Sequence, residues 1–126
     1  MDELRAHVEK AVENAEKGES KNTQEIVEME GMSGIKTRHF YNNLLNRDDA
    51  RYLEIGTWKG SSICSAMCGN KAKAVCIDNW SQFGAQNKRS GIMVFMWQFF
   101  KRVQSKDFLK DNISYHVFRP ASTRQF

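Results

Sequence analysis

The sequence predicts an α/β fold built on a small parallel sheet, and two stretches carry that prediction. Residues 51–61, Arg51-Tyr52-Leu53-Glu54-Ile55-Gly56-Thr57-Trp58-Lys59-Gly60-Ser61, read as a short apolar strand entering a glycine-bracketed turn that opens a helix. A second strand, Val75-Cys76-Ile77, ends on Asp78, 24 positions after Glu54. Strands alternating with helices favour parallel pairing through right-handed crossovers, with helices packed on the sheet.

The elements follow in order. Leu4, Val8, Ala11, Val12 and Ala15 recur with charges between them, which predicts an amphipathic helix over 2–17 stopped by Gly18. Thr23 is placed to cap a short helix carrying Ile26, Val27 and Met29, broken at Gly31. Ser33 is the next cap candidate, for a helix through Ile35, Phe40, Leu44 and Leu45. Residues 1–46 are therefore a helical lead-in, and Arg47-Asp48-Asp49 is the polar turn after it. Tyr52–Ile55 make the first strand, Ser61–Cys68 a helix of small and apolar residues ended by Gly69-Asn70, and Ala74–Ile77 the second strand. A loop runs from Asn79 to about Ser90, with Trp80 and Phe83 in it.

The densest apolar region spans Ile92 to Val103 and reads as a helix with two adjoining stripes, although strand alternation fits its first half almost as well. Residues 92, 95, 96, 99 and 103 make one; Met93, Trp97 and Phe100 make the other. Ile113–Phe118 make a third strand closed by Pro120, and 119–126 are a polar tail. The order β-α-β-α-β after a helical lead-in is Rossmann-like, with three parallel strands side by side.

Bulk properties bound the function. At 126 residues the chain is one domain with a real core. A net charge of +4 spread through the chain describes a solvated surface; a nucleic-acid groove would need an aromatic-basic motif, and none is present. Cys64, Cys68 and Cys76 are an odd number without disulfide-framework spacing, and neither His39 nor His116 completes a metal-ligand pattern, so buried small apolar roles are expected for all three and no metal. Free thiols and no signal peptide point to the cytoplasm, and the longest apolar run, 92–97, is far too short to span a membrane.

The glycine turn lets a backbone approach a ligand closely and aims the first N–H groups of the helix at it. Three ligand classes use such a turn. A P-loop wants Lys-Ser or Lys-Thr after its last glycine, whereas Gly60 is followed by Ser61-Ser62 and Lys59 precedes it. A dinucleotide fingerprint wants three close glycines, whereas Trp58 stands between Gly56 and Gly60 and would crowd a pyrophosphate. The third class is a nucleoside sulfonium with an amino-acid tail and no phosphate, which wants a close backbone and a carboxylate for its ribose. Asp78 has about the spacing of a ribose-binding acid. The plain alternative is an α/β turn with no ligand and a surface aspartate.

On these residues, Tyr52 to Ser62 followed by Val75-Cys76-Ile77-Asp78-Asn79-Trp80, the sequence resembles the class I S-adenosylmethionine-dependent methyltransferases, in the subgroup with an E-I-G-x-x-x-G-x-S turn. The resemblance covers roughly residues 50–83 and continues to 118 as topology only. It implies that Gly56 and Gly60 pass close to the methionine part of S-adenosylmethionine, that Glu54 helps to orient it, and that Thr57, Trp58 and Ser61 of the same turn also bind the cofactor. Asp78 would accept from both ribose hydroxyls, with Asn79 and Trp80 near the adenine. It also implies a cofactor-binding half-domain over 47–118. The family sheet has seven strands, of which this chain supplies the first three, so no catalytic residue and no methyl acceptor are assigned.

Two further expectations concern surfaces. The first strand would expose an edge through which a homodimer could pair. Arg38 and His39 begin a helix as a capped, solvated basic face or, alternatively, as contacts for an anionic substrate. The alternative to a methyltransferase is a non-catalytic nucleotide-binding or interaction module derived from one.

Overall fold

The computed structural model describes residues 2–79, 96, 98–102 and 104–117. The elements are α1 (Asp2–Glu16), α2 (Gln24–Val27), α3 (Ile35–Leu44), β1 (Arg51–Ile55), α4 (Ser61–Met67), β2 (Lys73–Asp78), α5 (Lys106–Asn112) and β3 (Ile113–Val117), with further helical residues at Met96 and 98–102. The three strands form one parallel sheet in the order β1-β2-β3. Leu53 lies opposite Val75, Ile55 opposite Ile77 and Cys76 opposite Tyr115. The expected α/β, Rossmann-like arrangement with a helical lead-in is what the chain adopts.

Strand alternation sorts the sheet into two faces. Ala74, Cys76 and Ile113 face the helices and are buried with Ile63, Cys64, Ala66, Met67, Met96, Phe100 and Leu109. The lead-in joins the same core through Ile26, Met29 and Leu45. All three cysteines are buried and free, as their sequence context implied. Burial pushes the Cys64 thiol well above its ordinary range. On the opposite face Leu53, Ile55 and Val75 are exposed, at 62%, 78% and 37%. Among the described residues no helix is long and apolar enough to cross a membrane.

Buried amides fasten the helices. Asn42 on α3 donates from Nδ2 to the carbonyls of Ser65 and Cys68, both at 2.8 Å, and Asn70 donates back to the Asn42 and Ala66 carbonyls at 2.8 Å. The bonds to Ser65, Ala66 and Cys68 satisfy carbonyls that the short helix α4 would otherwise leave open at its end. Gln104 reaches the same corner, donating to the Met67 and Asn70 carbonyls.

Several local expectations are corrected. Thr23 caps α2, its hydroxyl accepting from the Ile26 N–H, but Ser33 does not cap α3. Gly34 is the cap residue and makes no side-chain cap bond. Ser33 is turned instead to Arg38, whose Nε donates to both its carbonyl and its hydroxyl at 3.1 Å. Of the two apolar stripes, Met96 from one and Phe100 from the other are both fully buried, and Phe99 of the first packs partly buried against the same core, so both stripes contribute to it. Met93 and Trp97 lie outside the described residues, as do Phe118 and the tail. Helix α5 was not expected; Ser105 caps it by accepting from the Phe108 N–H, and Asp107 sits in its first turn.

Candidate functional site

The turn between β1 and α4 is held in shape by its own backbone and by the end of β2. Gly56 has φ +88° and donates its N–H to the Ile77 carbonyl at 2.8 Å. Gly60, with φ +85°, donates to the Thr57 carbonyl at 2.8 Å and is the N-cap residue of α4. Between them Trp58 takes φ +47°, rare for a bulky residue. Its N–H donates to Asp78 Oδ2 at 2.7 Å. Lys59 lies over the Trp58 ring, its Nζ 4.8 Å from the centroid, and pairs with Glu30 at 2.6 Å. The acid at the end of β2 thus reaches the glycine turn and anchors its most strained residue.

Beneath the turn sits a buried polar group. Glu54 is only 8% exposed, and the Tyr52 hydroxyl donates to its Oε1 at 2.7 Å. Burial drives the Glu54 carboxyl up to about 7, opposed by that hydrogen bond and by the nearby Thr57 hydroxyl, with Asp78 adding a smaller upward push. The Thr57 hydroxyl stands close enough to favour the charge yet makes no hydrogen bond of normal geometry, and Glu54 Oε2 is likewise buried without a hydrogen-bond partner. Burial, followed by the neighbouring Glu54, also raises the Tyr52 phenol far above its ordinary range.

The residues singled out in the sequence therefore separate by position. Gly56, Asp78 and Asn79, together with Ile55 and Ile77, line a depression of ≈ 490 Å³ at the C-terminal ends of β1 and β2. That volume is within the range of small-molecule sites. A Cβ added to Gly56 would meet nothing within 4 Å, so its backbone is open to a ligand. Glu54 and Thr57 lie under the turn and shape it. Gly60 and Ser61 are buried: a Cβ on Gly60 would strike the Met96 side chain, and one on Gly31 would strike Ser61. The start of α4 is thus covered by protein, and the open space lies on the Gly56–Asp78 side. Trp80 lies outside the described residues. Ile55 and Ile77 were not singled out, although they are the last outward-facing residues of two strands and alternation places them beside Gly56 and Asp78.

Arg38 and His39 are neither a solvated basic face nor contacts for an anion. Arg38 is 3% exposed and wraps the chain between α2 and α3, donating to the carbonyls of Val27 (2.8 Å), Met29 and Ser33. Burial lowers its guanidinium below the ordinary value. His39 is 8% exposed and its Nδ1 is 2.7 Å from the Ser20 hydroxyl. Both residues build the lead-in.

Among the described residues the depression is lined by one carboxylate, one amide, two isoleucines and a glycine. The carboxylate accepts from hydroxyl donors and attracts cations. Comparison of the chain with protein-family models, with curated proteins and with solved structures finds no match.

Proposed function

We propose that the depression at the ends of β1 and β2 binds S-adenosylmethionine and that the chain is a methyltransferase, or the cofactor-binding part of one, acting on an acceptor not yet identified. The observation that carries this reading is the placement of the Asp78 carboxylate beside the uncovered Gly56 backbone, in a depression of small-molecule size. The donor set fits the group. A carboxylate's two oxygens suit the two hydroxyls of a ribose, and a sulfonium is welcome near negative charge. When bound, the cofactor supplies an electrophilic methyl group. The residues of this chain would do the holding: Asp78 and Asn79 the nucleoside end, and Gly56 the close backbone approach.

A second reading is a binding module without turnover. It is favoured by one observation: among the described residues the depression's lining contains no histidine, cysteine or lysine to serve as a base.

Titration calorimetry with S-adenosylmethionine and its demethylated product, with ATP and NAD as phosphate-bearing controls, tests the reading. Binding of the first two and not of the controls is expected. A folded sample that gives no heat with either sulfur compound would sink it. Binding with no transfer to any acceptor offered would select the second reading.

A further inference from the structure

Two apolar surfaces of this chain lack cover among the described residues. The outer sheet face carries Leu53, Ile55 and Val75, paired in register as Leu53 with Val75 and Ile55 with Ile77. Below them, in the same register, Arg51 stands opposite Lys73, both exposed. Like charges placed directly opposite destabilise a strand pair unless something anionic meets them. Neither makes a salt bridge among the described residues. The second surface is the outward ridge of α1, where Leu4 and Val12 are 50% and 46% exposed and Val8 lies between them, partly exposed. The two surfaces meet, since Leu4 and His7 of α1 line one cleft with Tyr52 and Leu53 of β1.

We propose that the chain forms a two-fold dimer in which the α1 ridge of each copy packs across the outer sheet face of the other. Parallel strands are normally covered by helices on both faces, so a helix is the natural occupant. The spacings match: residues four apart on a helix rise about 6 Å, and residues two apart on a strand about 6.6 Å. With α1 running antiparallel to the strands, Val12 meets Leu53 and Val75, and Val8 meets Ile55 and Ile77 at the rim of the depression, so the dimer and a ligand in that depression compete. Glu16, one step further along the ridge, then arrives at Arg51 and Lys73. Its present partner, Lys36, is an exposed pair at 2.6 Å, cheap to exchange. The last turn of α1 holds no basic residue, so the negative end of the helix also falls on the basic pair.

Area decides between one such contact and two. A single helix laid on a sheet buries on the order of 700 Å² counted on both sides, below the roughly 1,200 Å² of a specific interface; the reciprocal pair made by two-fold symmetry reaches about 1,400 Å². The result is a modest interface that dissociates on dilution.

Sedimentation velocity of the full chain up to about 200 µM tests this, with far-UV circular dichroism to confirm folding of each variant. A dimer is expected, weakened at least about 30-fold by Ile55→Asp and, separately, by Val12→Asp, both on exposed side chains. Arg51→Glu with Lys73→Glu should weaken it about 10-fold, and adding Glu16→Lys should restore it. A monomer throughout overturns the proposal. So does a dimer insensitive to Ile55→Asp, which would place the contact elsewhere, or one sensitive to Ile55→Asp and indifferent to Val12→Asp, which would leave α1 out of it. Failure of the charge exchange to restore dimerisation overturns the assigned register.

Discussion

The Trp58 backbone N–H donates to Asp78 Oδ2 at 2.7 Å, so the acid at the end of β2 also holds the β1–α4 turn in its positive-φ form. Holding the turn and the proposed acceptance of a ribose are separable. Asp78→Asn keeps an oxygen for the Trp58 N–H but replaces the other with a donor. It should cost about 1 kcal/mol of stability or less while weakening S-adenosylmethionine binding at least about 10-fold. Asp78→Ala removes the tie and should cost about 1.5–3 kcal/mol as well. Urea unfolding and calorimetry on both variants separate the effects. Unchanged affinity in Asp78→Asn would show that the carboxylate serves the turn alone.

Glu54 makes stability depend on pH in a stated direction. Its carboxyl is pushed up from 4.5 to about 7 in the fold, chiefly by burial. Between those values the folded chain keeps the proton that the unfolded chain has lost. The stabilisation is therefore complete below pH 4.5 and is lost as pH rises through 7, at about 1.4 kcal/mol per pH unit and on the order of 3 kcal/mol in all. Glu54→Gln, which can still accept from the Tyr52 hydroxyl, should lack this slope. The difference in unfolding free energy between native chain and variant, measured from pH 4 to 8, should swing toward the variant as pH rises. A difference constant across that range would mean that Glu54 is ionised in the fold.

The segment 51–78 was legible because its signals are local. Alternation fixes which side chains of Tyr52–Ile55 and Ala74–Ile77 face the helices, and glycine is the economical residue for the positive φ at positions 56 and 60. What escaped is set by tertiary contact. Arg38 follows a helix start in a stretch of small and basic residues, the usual mark of a solvated face. Only the return of the chain from α2 supplies the carbonyls that bury it and take Ser33 away from capping. Met96 and Phe100 belong to different stripes on periodicity, and the choice of face is made by Gly60 and the neighbouring core. Helix α5 spans seven residues, too few for a period to emerge, though Ser105 and Asp107 did carry a cap signal. At the site, the spacing of Asp78 was readable, but its bond to Trp58 was not, because that bond depends on how the turn folds back over β2.

Arg38 carries a buried positive charge among carbonyl groups with no carboxylate among its hydrogen-bond partners. Arg38→Met fills much of the same volume but orphans the carbonyls of Val27, Met29 and Ser33, and should cost about 3 kcal/mol. Arg38→Lys keeps the charge but loses the planar fork, so it should recover only part of the loss. Thermal unfolding of both variants checks the order. If Arg38→Lys matches the native chain, charge alone holds the loop, and the fork geometry is immaterial.

Two glycines three positions apart give opposite expectations for the same substitution. Gly31 lies against the side chain of Ser61, so Gly31→Ala drives a methyl group into the start of α4, where backbone and core leave little room to shift. Overpacking of this kind costs about 1–3 kcal/mol. It should also disturb the turn, because Glu30 beside it pairs with Lys59. Gly34 has φ −72° and nothing within 4 Å of an added Cβ. Gly34→Ala therefore meets no clash and restricts the unfolded chain, a gain of about 0.4–1 kcal/mol; against this stands alanine's poorer capping, which makes the net change small. Urea midpoints should thus fall sharply for Gly31→Ala and stay near native for Gly34→Ala. If Gly31→Ala proves harmless, the 29–33 loop does not rest on Ser61, and the covered start of α4 becomes accessible to a ligand after all.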